Sequence, residues 1–146
     1  MSEPWVWERP ERLPLPQPES NAQPFWDALR EGELRLQRCA GCGLLGHPPR
    51  AMCPECGSFE FEWVPVSGRG TVYTFAVTQQ PIHPALVDHT PFATIVVELE
   101  EGPRLTSNLV DVPPDEIEIG LPVEIVFERV TDEVTLPLFR SRGRNA

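Results

Sequence analysis

Four cysteines in two matching pairs limit how this 146-residue chain can fold. Two residues separate the cysteines within each pair, ten separate the pairs, and a glycine, Gly43 or Gly57, follows each pair. A two-residue gap lets a tight turn aim both sulfurs at one ion, and the trailing glycine can adopt the positive φ that such a turn needs. Two facing turns complete a tetrahedral shell of four sulfurs. The spacing predicts one metal ion, held by Cys39, Cys42, Cys53 and Cys56.

Zinc in a structural role is the favoured interpretation of this ligand set. Tetrahedral sulfur also suits iron, so a rubredoxin-like iron centre is an alternative. A thioredoxin-like redox pair would need one Cys-x-x-Cys on a turn between a strand and a helix, and this sequence lacks that context. Free cysteines are the third alternative. Because four protein ligands leave no position open for water, we expect one structural zinc ion and no zinc catalysis.

The composition argues against several classes of protein. Twelve positive and 22 negative side chains give a net charge of −10, and an acidic surface repels the phosphates of nucleic acids. Eighteen prolines argue against long helices and favour turns, loops and edge strands. With no visible signal peptide and no apolar run of about 18 residues, we expect a cytoplasmic protein without membrane contact. Thiols stay reduced in that compartment, which favours a metal over disulfides.

Both ends of the chain are predicted to lie outside its folded units. Residues 1–20 contain five prolines and no periodicity, which indicates an extended arm. We expect Trp5 and Trp7 in this arm to pack against the chain's own surface or against a partner. Residues 141–146 are predicted to be a tail, and a basic cluster near it is formed by Arg140, Arg142 and Arg144.

Residues 21–62 are predicted to form a short helix followed by the zinc ribbon. The helix covers residues 21–32, with Asn21 as its N-cap and Gly32 at its end. Alternating apolar residues then indicate a short strand that runs into the first cysteine pair.

Residues 63–140 show the alternation of apolar and polar side chains that is typical of antiparallel strands with one buried face. The series lie at residues 73–78, 93–99, 105–110, 123–128 and 134–138. Five short strands without a second helical layer predict a five-stranded OB-fold barrel, with a small sandwich as the second choice. The predicted fold is therefore mainly β, with a short N-terminal helix, a zinc ribbon and a small barrel.

The sequence offers no recognisable catalytic constellation. It contains three histidines, His47, His83 and His89, and only scattered serines and threonines as nucleophiles. The motifs of serine hydrolases, zinc proteases and phosphate-binding loops are absent. We therefore expect that the chain is not an enzyme on its own.

In order and spacing, a set of landmarks over residues 24–139 resembles a known family, the acyl-CoA-associated proteins that join a rubredoxin-like zinc ribbon to an OB-fold. Apart from the cysteines, the landmarks are individually unspecific. They are Pro24-Phe25-Trp26, Leu36-Gln37-Arg38, Pro48-Pro49-Arg50, Cys53-Pro54-Glu55-Cys56-Gly57, Trp63, Ser67-Gly68-Arg69-Gly70-Thr71-Val72-Tyr73, His83-Pro84, Glu101-Gly102-Pro103-Arg104-Leu105, Asn108-Leu109 and Leu136-Pro137-Leu138-Phe139.

The resemblance implies an accessory, non-catalytic subunit that binds a thiolase-like enzyme, a thiolase or an aldolase, and shares its acyl-CoA. Degradation of steroids or of aromatic compounds is the implied setting. As candidate contacts to acyl-CoA or to the partner we select Trp26, Arg50, His83 and Phe139. The alternative function is a zinc-ribbon and OB-fold module that binds nucleic acid, which the negative charge argues against.

Overall fold

The computed structural model describes residues 5–18 and 21–143, which form one α-helix and eight strands in two sheets. In chain order the elements are α1 (Gln23–Arg30), β1 (Arg35–Cys39), β2 (Leu45–Gly46), β3 (Phe61–Pro65), β4 (Arg69–Thr78), β5 (Phe92–Leu99), β6 (Arg104–Ser107), β7 (Pro122–Arg129) and β8 (Thr135–Ser141). The smaller sheet has the order β2-β1-β3 and the larger one β6-β5-β4-β7-β8. The predicted mainly β fold with one short helix is confirmed.

Helix α1 is positioned by burial of its apolar face and not by a side-chain cap. Pro24 lies in its first turn, and Gly32 follows its last turn at a φ of 78°, both as predicted. The predicted N-cap, Asn21, is wrong, because Ala22 occupies the N-cap position and makes no side-chain hydrogen bond there. The buried ring of Phe25 faces the core and holds the helix against it.

The smaller sheet builds the ribbon around strand β1. Strand β1 pairs with β2 on one side and with β3 on the other, and both pairings are antiparallel. The register with β3 runs from Arg35 opposite Pro65 to Cys39 opposite Phe61. Strand β3 pairs only with β1 among the described strands. The domain boundary predicted between residues 62 and 63 falls within β3 and stays a prediction.

The larger sheet curls until its two edge strands meet, which gives the predicted OB-fold. The seam is a parallel bridge between Leu109, just after β6, and Phe139 in β8. Phe139 donates its N–H to the carbonyl of Asn108 at 3.1 Å, and its own carbonyl accepts from the N–H of Val110 at 2.8 Å. On one side of this seam the hydroxyl of Ser107 donates to the carbonyl of Pro137 at 2.6 Å.

The alternating pattern identifies the buried face of β5 correctly but misses a bulge in β4. Ala93, Ile95, Val97 and Leu99 are all buried on one face of β5, as the period of two predicts. The bulge in β4 lies at Tyr73, because the pairing register with β5 shifts between Val72 and Thr74. The alternation of buried and exposed side chains along the strand is interrupted there. Tyr73 is consequently 45% exposed, although the pattern grouped it with Phe75 and Val77.

The described part of the N-terminal arm, residues 5–18, lies on the chain's own surface without helix or strand. Trp7 donates its backbone N–H to the carbonyl of Val110 at 2.7 Å, next to the barrel seam, and Pro10 is buried. The guanidinium of Arg9 donates to the carbonyl of Leu13 at 2.6 Å, which folds the arm back on itself. Within the described residues, no helix is long and apolar enough to cross a membrane.

At the other end of the chain, strand β8 extends into the predicted tail as far as Ser141. The predicted basic cluster is largely neutralised, because Arg140 pairs with Glu124 at 2.8 Å and Arg142 pairs with Glu100 at 3.6 Å. Arg144, the third member of that cluster, lies outside the described residues.

We expect the substitution Gly70→Ala to destabilise the barrel. A methyl group at Gly70 would collide with the backbone carbonyl of Glu98 on the neighbouring strand, so that β4 and β5 would have to separate. A loss of about 1–3 kcal/mol in the free energy of unfolding is typical of such overpacking. Urea unfolding of the zinc-loaded protein measures it.

The matched control is Gly46→Ala in β2, where a methyl group would meet no atom within 4 Å. Its free energy of unfolding should change by no more than about 0.5 kcal/mol. Equal unfolding midpoints for the two variants would show that the close approach of β5 to Gly70 does not make the stability of the barrel depend on a glycine at this position.

Candidate functional site

Two turns of the same design carry the cysteine pairs. In each turn the N–H of the first cysteine donates to the carbonyl five residues later, at 2.8 Å for Cys39 and 2.9 Å for Cys53. The glycine after the pair donates back to that first cysteine, at 2.9 Å from Gly43 and 3.0 Å from Gly57. Both glycines have a positive φ, 79° and 77°, as the sequence predicts. The backbone alone therefore directs both sulfurs of each pair toward the other turn.

The four sulfurs are spaced as a zinc ion requires. All four Sγ atoms lie within 4.8 Å of one another. The Sγ atoms of Cys39 and Cys56 are 3.4 Å apart and those of Cys42 and Cys53 are 3.7 Å apart. With Zn–S bonds of about 2.3 Å, the sulfurs of a tetrahedral site lie about 3.8 Å from each other. The cluster can therefore hold one zinc ion, and all four of its coordination positions would be filled by protein.

Backbone amides make one of these sulfurs a ready ligand. The N–H groups of Cys42 and Gly41 point at Sγ of Cys39, at 3.4 Å and 3.3 Å. The hydrogen bond from Cys42 and those from the Cys56 thiol and from Gly41 lower the pKa of the Cys39 thiol to about 6. Because the thiolate is the form that binds metal, this environment favours coordination near neutral pH.

Trp26, the first predicted contact residue, stands half-buried beside an apolar cleft. Its ring packs edge-on against Phe25, with the centroids 5.3 Å apart. The cleft encloses about 270 Å³ between helix α1, the ribbon and strands β6 and β8. Its lining residues include Trp26, His47, Leu105 and Pro137.

Arg50, the second predicted contact residue, has a fixed backbone and an unpaired side chain. The buried amide of Gln37 accepts from the N–H of Arg50 at 2.8 Å and donates to its carbonyl at 2.9 Å. Arg50 is exposed, and within the described part of the chain its guanidinium makes no ion pair. A positive charge is thereby presented to solvent from a rigid point on the ribbon.

The other two predicted contact residues differ sharply in exposure. His83 is half-exposed in the loop between β4 and β5, where its Nδ1 accepts the backbone N–H of Ala85 at 3.0 Å. Phe139 is fully buried in the barrel core and can contact neither a ligand nor a partner. Its selection as a contact is corrected, because β8 turns this side chain inward. None of the other three residues lines the cleft beside Trp26, so the four do not form one site.

Sequence reasoning missed the contact between His47 and the helix. The rings of His47 and Phe25 lie 5.0 Å apart, and burial lowers the pKa of His47 to about 4. The imidazole is therefore neutral at pH 7 and serves as packing in the wall of the cleft. No local pattern signals this contact, because it forms only when the helix meets the ribbon.

Comparisons with known proteins agree with this architecture. Residues 26–62 match the model of the ChsH2 rubredoxin-like zinc ribbon domain, and residues 63–128 match that of the ChsH2 C-terminal OB-fold domain. The solved structure titled "Ltp2-ChsH2(DUF35) aldolase" superimposes with a TM-score of 0.79 and 42% sequence identity, over 86% of this chain and 98% of that one.

Two curated relatives differ in how much of their length this chain covers. A probable enoyl-CoA hydratase alpha subunit of Thermomonospora curvata is 46% identical over 117 residues, which are 80% of this chain but 36% of that protein. A DUF35 domain-containing scaffold protein of Methanocaldococcus jannaschii is 40% identical over 100 residues, which are 66% of this chain and 68% of that protein. The chain thus spans about a third of the hydratase subunit and about two thirds of the scaffold protein.

We expect the purified protein to carry one zinc ion per chain and to lose it when a ligand is removed. Cys53→Ser takes away a buried ligand, and metal-binding free energy is folding free energy in a module of this kind. Elemental analysis should give a zinc content well below one per chain, and the unfolding midpoint should fall.

Met52→Ser, at the exposed neighbouring residue, is the control and should keep its zinc. A red protein with visible thiolate-to-iron absorption would show that the site holds iron and not zinc. A variant with all four cysteines changed to serine that still unfolds like the wild type would contradict a structural role for the metal.

Proposed function

This chain belongs to the ChsH2 family of rubredoxin-like zinc-ribbon and OB-fold proteins, and we propose that it is a non-catalytic subunit of an acyl-CoA-processing enzyme. The partner is a thiolase-like enzyme, a thiolase or an aldolase, and acyl-CoA is bound between the two. The observation that carries the proposal is the likeness to the ChsH2 component of an aldolase, 42% identical and covering 98% of that chain. Degradation of steroids or aromatic compounds is the proposed setting.

The arrangement of titratable groups supports a role in which this chain itself catalyses no reaction. A zinc ion in the cysteine cluster would have four protein ligands and no position for substrate. His47 is neutral and packed against an aromatic ring, and Nδ1 of His83 is engaged by the backbone of its own loop. In the described part of the chain, neither histidine lies within hydrogen-bond reach of a serine or cysteine nucleophile.

The charge distribution supports a protein partner over a nucleic acid. Eight arginines in the described part form ion pairs with carboxylates, at 2.7 to 4.0 Å. They are Arg30, Arg35, Arg38, Arg69, Arg104, Arg129, Arg140 and Arg142. A nucleic acid would have to compete with these carboxylates and with a net charge of −10. We therefore favour a protein partner over a nucleic acid.

Three of the residues selected from the sequence remain as proposed contacts. Trp26 offers an aromatic edge beside an apolar cleft, and His83 lies on an exposed loop. Arg50 offers an unpaired positive charge, which suits a phosphate of CoA or a carboxylate of the partner.

Co-expression with a thiolase-like enzyme encoded next to this chain tests the proposal. We expect the two proteins to co-elute from size exclusion as a hetero-oligomer, and the activity or solubility of the enzyme to be lost when this chain is left out. The chain alone should turn over no acyl-CoA. A chain that elutes alone at micromolar concentration, beside an enzyme that is fully active without it, would make the accessory-subunit role wrong.

We expect Arg50→Gln to weaken the complex, or its affinity for acyl-CoA, about tenfold without changing the unfolding midpoint. Among residues 5–18 and 21–143 the guanidinium has no ion-pair partner to lose, whereas a charge-assisted contact of about 1.4 kcal/mol corresponds to a tenfold change in Kd. Titration calorimetry at low and high salt measures the Kd of both proteins. Salt screens the charge of Arg50, so the difference in Kd between variant and wild type should be smaller at high salt.

Arg129→Gln is the matched control, since this arginine is 71% exposed and its ion pair with Asp132 lies on the β7–β8 hairpin. Binding by this variant should equal that of the wild type. If Arg50→Gln also binds like the wild type, Arg50 is not a contact residue.

A further inference from the structure

The hairpin formed by β4 and β5 is almost free of charge on a chain that is otherwise densely charged. The chain carries 12 positive and 22 negative side chains in 146 residues. Between Tyr73 and Val97, Asp88 is the only carboxylate and no arginine or lysine occurs. Depletion of charged residues marks the centre of a protein–protein interface. This hairpin therefore has the composition of a contact surface.

The outer half of the hairpin extends beyond its pairing with the two flanking strands. Strand β7 pairs with β4 only over residues 69–71, and β6 pairs with β5 only over residues 95–98. Among the strands that the structure describes, residues 76–78 and 92–94 therefore pair only with each other. Ala93 still ties this half to the barrel, because it is buried in the core and its carbonyl accepts from the side chain of Asn108 at 2.7 Å. The part of the hairpin that is free to meet a partner is therefore the connecting loop.

The loop at the end of the hairpin, residues 79–91, has internal structure that holds its shape. Its centre is a 3-10 turn, Pro84–Leu86, which begins where Nδ1 of His83 accepts the N–H of Ala85. Leu86 is 6% exposed, and its carbonyl accepts from the N–H of His89 at 2.9 Å. A loop whose conformation is set before binding loses little entropy when it is captured.

Two aliphatic side chains on this loop are left in solvent. Ile82 is 81% exposed and Val87 is 59% exposed, one on each side of the 3-10 turn. Residues 79–91 contain no arginine or lysine that would attract a phosphate or a nucleic acid. Asp88 is the one carboxylate of this loop, beside Val87. The chemistry that matches an exposed, aliphatic and charge-poor loop is an apolar recess on a protein.

We propose that the hairpin tip, defined as residues 79–91, docks into an apolar, uncharged recess on the partner enzyme, with Ile82 and Val87 as its anchors. This inference rests on the function proposed above and assigns to it the surface through which the two chains meet. The partner enzyme is favoured over a second copy because the mainly apolar clefts described on this chain are small, about 270 Å³ beside Trp26 and about 180 Å³ beside Ile125. The walls of the larger clefts described carry carboxylates.

The double substitution Ile82→Glu with Val87→Glu tests the hairpin tip in the co-expressed complex. Both side chains are exposed, so the fold should tolerate the change, and circular dichroism with urea unfolding verifies this. We expect the Kd for the partner enzyme to rise at least tenfold. Ile82→Arg with Val87→Arg should weaken binding equally. An apolar recess excludes a positive and a negative charge alike, so loss of affinity with both pairs of substitutions indicates that these side chains are buried in such a recess.

Ile119→Glu is the matched control, since Ile119 is 69% exposed in the turn before β7. Its Kd should stay within twofold of the wild-type value. As a measurement that needs no variant, hydrogen exchange of the wild-type complex should show new protection in peptides that cover residues 79–91.

The outcomes separate this inference from the proposed function. If the wild-type chain binds its partner but the hairpin variants bind equally well and residues 79–91 gain no protection, the hairpin tip is not the docking surface and the subunit role stands. If the wild-type chain binds no thiolase-like enzyme, both are wrong. If the hairpin variants convert a dimer of the isolated chain into a monomer and leave partner binding unchanged, the tip serves self-association and the inference is overturned.

Discussion

Coordination of one ion by four sulfurs replaces the apolar core that the ribbon lacks. Within residues 39–61, all of which the structure describes, the buried side chains are those of Cys39 and Cys53. Strand β1, which leads into the first cysteine, also carries the fully buried Leu36 into the barrel core. The metal site is thus tied directly to the packing of the barrel. The position of Arg50 and the wall of the cleft at His47 both depend on a ribbon that holds its shape.

The residues proposed as contacts lie on separate elements and not in one pocket. Trp26 is on the helix, Arg50 is on the ribbon and the hairpin tip is on the barrel. Most arginines in the described part are already paired with carboxylates of the same chain. Exposed pairs of this kind add little to stability, but they reduce the attraction of the surface for other anions. Such a distribution suits a broad protein contact better than the enclosure of a small molecule.

Local sequence patterns predict correctly those elements whose structure is determined by residues close together in the sequence. The cysteine spacing, the glycines after each pair and the alternation along β5 each act within a few residues, and each was read correctly. The exposure of Tyr73 was missed because a bulge changes the register without changing the alternation of residue types. The contact of His47 with Phe25 was missed because it is set by packing between distant segments. Which exposed residues serve binding is likewise decided by where the elements place them.

The seam that closes the barrel has a consequence for the order in which the chain folds. It joins segments about thirty residues apart in sequence, through the Ser107–Pro137 and Asp111–Ser141 hydrogen bonds as well as the backbone of Phe139. The β4–β5 and β7–β8 hairpins close shorter loops, and shorter loops cost less chain entropy to close. The seam therefore forms after the hairpins. Because Trp7 donates to the carbonyl of Val110 beside this seam, we expect the N-terminal arm to dock only after the seam has formed.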